Sequence, residues 1–241
     1  MSKKSKIILI TIAVLLVIAI LNKNIVLSFS IKWPCSVKNR NGGIGDNLKT
    51  KNLNNLNFEN LVIKDNANIE IVQTDICFVE YDKNLNYKIE IKDNTLYIEN
   101  LDINHKYKNL LFRVVIPRNV VKNIFVGNKG GDIKIRGYKM NNIVVENMVG
   151  DINVNIDNVD KISINSHTGN VNFKGISSFL KIIGGVSNIK CEINEANDDY
   201  KISVDNSIGN RNLENKLTGN KLIDIKSTIG DIYIVFNPYK L

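Results

Sequence analysis

The sequence predicts an all-β protein: a single-domain β-solenoid of about six regular rungs with an irregular N-terminal part, behind one N-terminal transmembrane helix. Three observations carry that expectation. First, a pattern recurs six times between residues 124 and 234, anchored on Gly131, Gly150, Gly169, Ser187 in place of glycine, Gly209 and Gly230. The spacings are 19, 19, 18, 22 and 21 residues, at the short end of solenoid periods. Second, the positions seven and five before each anchor, and two and four after it, are apolar at 23 of 24 places, with Arg211 the exception. Alternation puts these residues on one face of short strands. One copy alone has nothing to bury that face against, so copies must stack. Third, an apolar run over residues 7–21 follows Lys3, Lys4 and Lys6. The competing layout for the repeats is a plain antiparallel sandwich.

Taken in order, residues 1–30 read as a signal anchor. Fifteen apolar residues reach about 22 Å at 1.5 Å each, short of a ~30 Å hydrocarbon core. Extension to Phe29 gives about 34 Å, with Lys23 snorkelling. A cleaved signal peptide would share the charged start and the run length. Its small-x-small site, Ser28 to Ser30, lies well beyond the apolar run, so an uncleaved anchor is expected. The leading lysines would keep the N-terminus cytoplasmic and send the bulk of the chain outside the cell membrane. Residues 31–57 read as a polar juxtamembrane linker, with Trp33 suited to the membrane interface. Its glycines, Gly42, Gly43 and Gly45, do not complete a G-x-G-x-x-G phosphate loop.

Residues 58–241 form the predicted solenoid domain. Strands are expected over 61–63, 68–72, 76–81, 87–92, 95–99 and 110–116, ended by Pro117, which cannot donate to a ladder. This half should supply the first rungs and a cap. Each later copy reads as two short strands around a corner, then a looser return such as residues 136–142. The corner residues Gly131-Asp132, Gly150-Asp151, Gly169-Asn170, Gly209-Asn210 and Gly230-Asp231 read as a structural turn ladder. Glycine accepts positive φ there, and Asn or Asp bonds local backbone. Phe236, Pro238 and Tyr239 are expected to blunt the last edge.

Net charge is +8 with a pI near 9.2. The lysines look scattered, which fits a solvated surface that also protects strand edges. The functional alternative is attraction to anionic headgroups or acidic surface polymers. No basic stripe with interleaved aromatics is visible, so nucleic acid is not an expected partner. Cys35, Cys77 and Cys191 make no metal-spaced set, and Cys191 occupies a core position. A Cys35–Cys77 disulfide is open but has no support from spacing.

Asn68-Ile69-Glu70-Ile71, then residues 112–117 ending in Pro117, then iterated Gly-Asp-Ile motifs resemble the bacterial putative-adhesin family with a toastrack-type β-solenoid. The resemblance covers about residues 58–236. It implies a right-handed stack, often tethered by one membrane helix, with roles in envelope stress or at the cell surface. It brings no catalytic residues.

An enzymatic reading has one candidate: Asp132 and Asp151 on neighbouring rungs, about 5 Å apart, near the carboxylate separation of retaining glycosidases. Three of the six equivalent positions hold Asn, which favours turn chemistry. Calcium binding is only partly suggested by Gly130-Gly131-Asp132, and His105 and His167 stand apart from any ligand set. No cofactor or metal is expected. The function expected is therefore a membrane-anchored, extracytoplasmic, non-enzymatic interaction module in envelope-stress signalling or adhesion. Its partners would be the membrane and another envelope protein or an anionic cell-surface polymer. The alternative is an enzyme acting on wall or surface polysaccharide.

Overall fold

A computed structural model describes residues 48–53, 57–102, 111–118 and 120–238. The predicted anchor, Trp33, Cys35, His105 and Tyr239 lie outside these residues. Among these residues fifteen strands follow in order. They are β1 (Leu48–Asn52), β2 (Asn60–Asp65), β3 (Asn68–Thr74), β4 (Phe78–Asp82), β5 (Tyr87–Lys92), β6 (Thr95–Asn100), β7 (Leu111–Pro117) and β8 (Asn123–Asn128). The regular part continues with β9 (Ile133–Val149), β10 (Ile152–Thr168), β11 (Val171–Val186), β12 (Ile189–Ile193), β13 (Tyr200–Ile208), β14 (Lys221–Ile229) and β15 (Ile232–Phe236).

The strands stack in two rows that face each other across the core. The row after the corners runs β1-β4-β7-β3-β9-β10-β11-β12-β15. The row before the corners runs β5-β6-β2-β8-β9-β10-β11-β14-β13. Pairing is parallel throughout, apart from β1–β4, β4–β7 and β5–β6 at one end. Parallel registry of Ile133, Ile152, Val171, Ile189 and Ile232 is what a solenoid requires and an antiparallel sandwich does not. Opposite them stand Ile124, Ile143, Ile162, Leu180, Ile223 and Ile202, also in registry. Of the 23 apolar repeat positions all are buried except Leu213, which is half-buried against the core.

The corners need glycine for a specific reason. At Gly150 φ is +124°, and a Cβ would stand 2.2 Å from the Gly131 carbonyl oxygen of the preceding rung. A side chain there would strain its own backbone and push the rungs apart. The expected loose return is instead strand. Gly137 pairs with Ile156 and Met140 with Val159, so β9 and β10 each run unbroken for 17 residues and bend without losing registry.

One further expectation is corrected. Residues 48–52, assigned to the linker, form β1 and pair with β4. The repeats do not stack in chain order: the sixth, β14 and β15, sits between the fourth, β11 and β12, and the fifth, β13. An interior rung must bury both of its apolar rows. The fifth copy cannot, because Arg211 replaces an apolar residue, whereas the sixth offers Ile232 and Ile234. The last strand of the row before the corners is therefore β13, while β15 ends the other row. Phe236 is partly buried against the core, its ring centroid 5.6 Å from that of Tyr200. At the other end the order is reversed: β2 and β3 come first in sequence and lie inside the later β6 and β7.

Both ends are closed. On the outermost strands β1 and β5, Lys49, Lys51, Lys88 and Lys92 are exposed, which discourages pairing with another edge. At β13 the segment 211–217 folds back. Ile202 and Lys216 exchange backbone hydrogen bonds of 2.8 and 2.9 Å, and the Val204 N–H donates to Asn215 Oδ1 at 2.7 Å.

Candidate functional site

The predicted ladder residues come together along one corner, where each rung is tied to the next. The Asp151 N–H donates to Asp132 Oδ1 (3.0 Å), Asn170 N–H to Asp151 Oδ1 (2.8 Å), and Asn210 N–H to Asp231 Oδ1 (2.7 Å). Asn68 begins the series by accepting from the Asp132 N–H, and Asn188 accepts from the Asp231 N–H. Asp132 and Asp151 thus each spend an oxygen on a neighbouring backbone. Behind them a buried second file holds the corner carbonyls: Asn147 Nδ2 donates to the Gly131 and Gly150 oxygens at 3.2 and 2.9 Å. Among the described residues no group of three His, Cys, Asp or Glu is placed to hold a metal ion. His167 is exposed on the corner flank. Cys191 is fully buried, and burial pushes its thiol well above the ordinary range. Cys77 is also buried.

Arg211 is the residue where an inward apolar position fails. Its guanidinium turns to the outer edge of β13 and donates from Nη1 to the Val204 carbonyl at 2.8 Å, while Nη2 lies 3.3 Å from Glu214.

A different surface has the character of a binding site. Residues three and five places after each corner point outward from the first row of strands. On β9 to β12 they are Lys134 and Arg136, Asn153 and Asn155, Asn172 and Lys174, and Lys190 and Glu192. They line one shallow groove of about 430 Å³. Four cationic side chains stand there against one carboxylate. Glu192 lies 2.8 Å from Lys190 and 3.8 Å from Lys174, and it holds the Lys190 ammonium above its ordinary pKa. Lys134 and Arg136 form no ion pair with a described residue. The acidic neighbour on the next rung, Glu70, is already engaged by Arg113 at 2.6 Å, and Arg113 also reaches Glu80 at 3.1 Å. Between the cations Asn172 Nδ2 donates to Asn153 Oδ1 at 3.0 Å. Tyr233, half exposed, is in register with Lys190 at the far side.

Three of the lysines that look scattered along the chain, Lys134, Lys174 and Lys190, are therefore brought to one groove by the coil. The signal was present in the repeat itself: counting three and five residues past each anchor selects this groove, but only once strand pairing is known to be parallel and in register.

These features define a class, an all-β solenoid with an open, charged groove on one face. The chain belongs to the family described as Toastrack DUF4097, whose model matches residues 58–239. Solved structures with a similar course include a "putative cell adhesion protein" from Clostridium sporogenes, 14% identical, covering 78% of this chain and 98% of that one with a TM-score of 0.40. A "putative adhesin" from Bacteroides fragilis is 15% identical over 80% and 100% of the two chains, with a TM-score of 0.46. A "putative lipid binding protein" from Parabacteroides distasonis is 16% identical over 79% and 97%, with a TM-score of 0.34. No curated protein matches the chain.

Proposed function

We propose that the protein is a membrane-anchored interaction module displayed outside a bacterial cytoplasmic membrane, and that it holds an anionic partner on the groove of β9 to β12 without catalysing a reaction. The observation that carries this reading is the imbalance of four cations to one carboxylate on a single face. Clustered charge of one sign raises the local concentration of an oppositely charged partner and speeds its capture. The apolar run of residues 7–21 behind Lys3, Lys4 and Lys6 supports the anchor and its orientation. Surface attachment is the role this arrangement serves directly. Envelope-stress signalling would use the same face toward an acidic membrane protein.

Two measurements test it together. Protease shaving of intact cells should remove a C-terminal tag while the protein fractionates with membranes; a tag that survives until lysis sinks the outward display. Retention of the solenoid domain on an anionic matrix should weaken with salt and fall at least about tenfold in Lys134→Glu/Lys174→Glu/Lys190→Glu, since rim charges act mainly through long-range attraction. Equal retention of the charge-reversed protein sinks the groove.

A further inference from the structure

The geometry points to a linear anionic glycan as the groove's ligand, running across the strands with its negative charges on the two flanks and its hydroxyl-bearing rings over the Asn153–Asn172 amides. This rests on the anionic-partner reading above and names the chemistry of the partner. Cations occupy both flanks, Lys134 and Arg136 on one side, Lys174 and Lys190 on the other. Strands β9 and β12 are three inter-strand steps apart, roughly 14 Å at ~4.8 Å each. The middle of the groove is uncharged but not apolar. Asn153 gives its oxygen to Asn172 and keeps its amide hydrogens, while Asn172 keeps its oxygen. Asn155 makes no hydrogen bond to a described residue. Donor and acceptor side by side match vicinal hydroxyls, which offer both.

Tyr233 adds the second element. Its ring is half exposed beside Lys190, and the C–H face of a pyranose packs on an aromatic ring while its hydroxyls stay in plane. A bare polyphosphate would use the cations and leave amides and tyrosine idle. A lipid would need apolar surface for its chains, yet Ile135, Val154 and Phe173 beneath the groove are at most 2% exposed. An extended ligand lying across successive rungs also suits a groove that is open along its length.

The test uses the solenoid domain within the full chain in detergent, probed with a short oligogalacturonate, a neutral malto-oligosaccharide of equal length, inorganic tripolyphosphate and phosphatidylglycerol vesicles. Binding is read by calorimetry, and melting curves confirm that each variant is folded. The expected result is binding of the oligogalacturonate above all three others. Asn153→Ala/Asn172→Ala and, separately, Tyr233→Ala should each weaken it roughly tenfold while tripolyphosphate binding stays the same. If tripolyphosphate binds as well as the uronate and the Asn and Tyr variants change nothing, the glycan inference falls and the anionic-partner reading stands. Vesicle binding without uronate binding overturns the glycan in favour of lipid. If none of the anionic probes binds, both readings fall.

Discussion

At the scale of single residues, the corner file shows how one position can take different chemistries while keeping one job. Asn128, Asn147, Ser166 and Ser227 stand three places before their anchors, all buried. The fourth copy has Gly184 there instead, and a Cβ on it would approach the Ser187 Cβ to 2.9 Å. Serine at the anchor and glycine three places earlier have exchanged roles: Ser187 Oγ, buried, lies 3.5 Å from Ser166 Oγ. The repeat was legible through this exchange because the apolar positions on either side are kept. The exchange itself was not legible, since it depends on which side chain fills a shared space. Asp65 occupies the equivalent place on the rung of β2, where it pairs with Asn128. It accepts from Tyr87 Oη at 2.7 Å, Asn100 Nδ2 at 2.8 Å and the Asn66 N–H at 2.7 Å. Burial nevertheless outweighs these bonds and raises its pKa above the usual 3.8. The folded carboxyl then keeps its proton to higher pH than the unfolded one. Its contribution is fully present below pH 3.8 and is lost as pH rises through the folded value. Melting temperatures across the acid range should therefore show wild type losing stability relative to Asp65→Asn as pH rises through that window. A pH-independent offset between the two proteins would refute the assignment.

At the scale of strands and loops, the end segment 211–217 does the work that a capping helix does in other stacks. A terminal parallel strand presents a row of unpaired backbone groups, a template for association. Here Arg211, Asn215 and Lys216 meet the groups of Val204 and Ile202 from the outside. Arg211→Ala removes the Val204 partner, which should cost about 0.5–1.5 kcal/mol and open part of that edge. The expected outcome is a modest drop in the urea midpoint with concentration-dependent association in sedimentation. A variant as stable and monomeric as wild type would mean that the loop backbone alone closes the edge. In the sequence Arg211 showed only as a broken pattern. Its meaning needed the order of rungs in space, which periodicity does not encode. The groove has the same history: its residues sit at regular offsets, yet their charges add only because parallel pairing lays those offsets side by side.

At the scale of the whole molecule, the C-terminal end is built by passing the chain outward to β13 and then filling in behind it with β14, whereas at the other end β2 and β3 are laid down first and β6 and β7 are placed outside them. The core is continuous through the stack, and at its C-terminal end the sixth copy stands between the fourth and the fifth. Truncation after residue 220 should therefore do more than remove one rung. It would strip β11 and β12 of their outer partners β14 and β15, and β13 of β14, the one strand it pairs with among the described residues. Dye binding and light scattering should rise and the cooperative melt should be lost. A sharp, monomeric melt would show that β13 docks directly on β11 instead. The arrangement also sets a schedule. During synthesis β13 is made before the strand that joins it to the stack, and the 28 residues from 209 to 236 take roughly 1–6 s to follow at about 5–20 residues per second. For that interval the growing chain carries a slot one strand wide between its finished layers and its own lid. A chaperone, a membrane surface or a second chain arriving in those seconds would meet an opening that the mature protein no longer has.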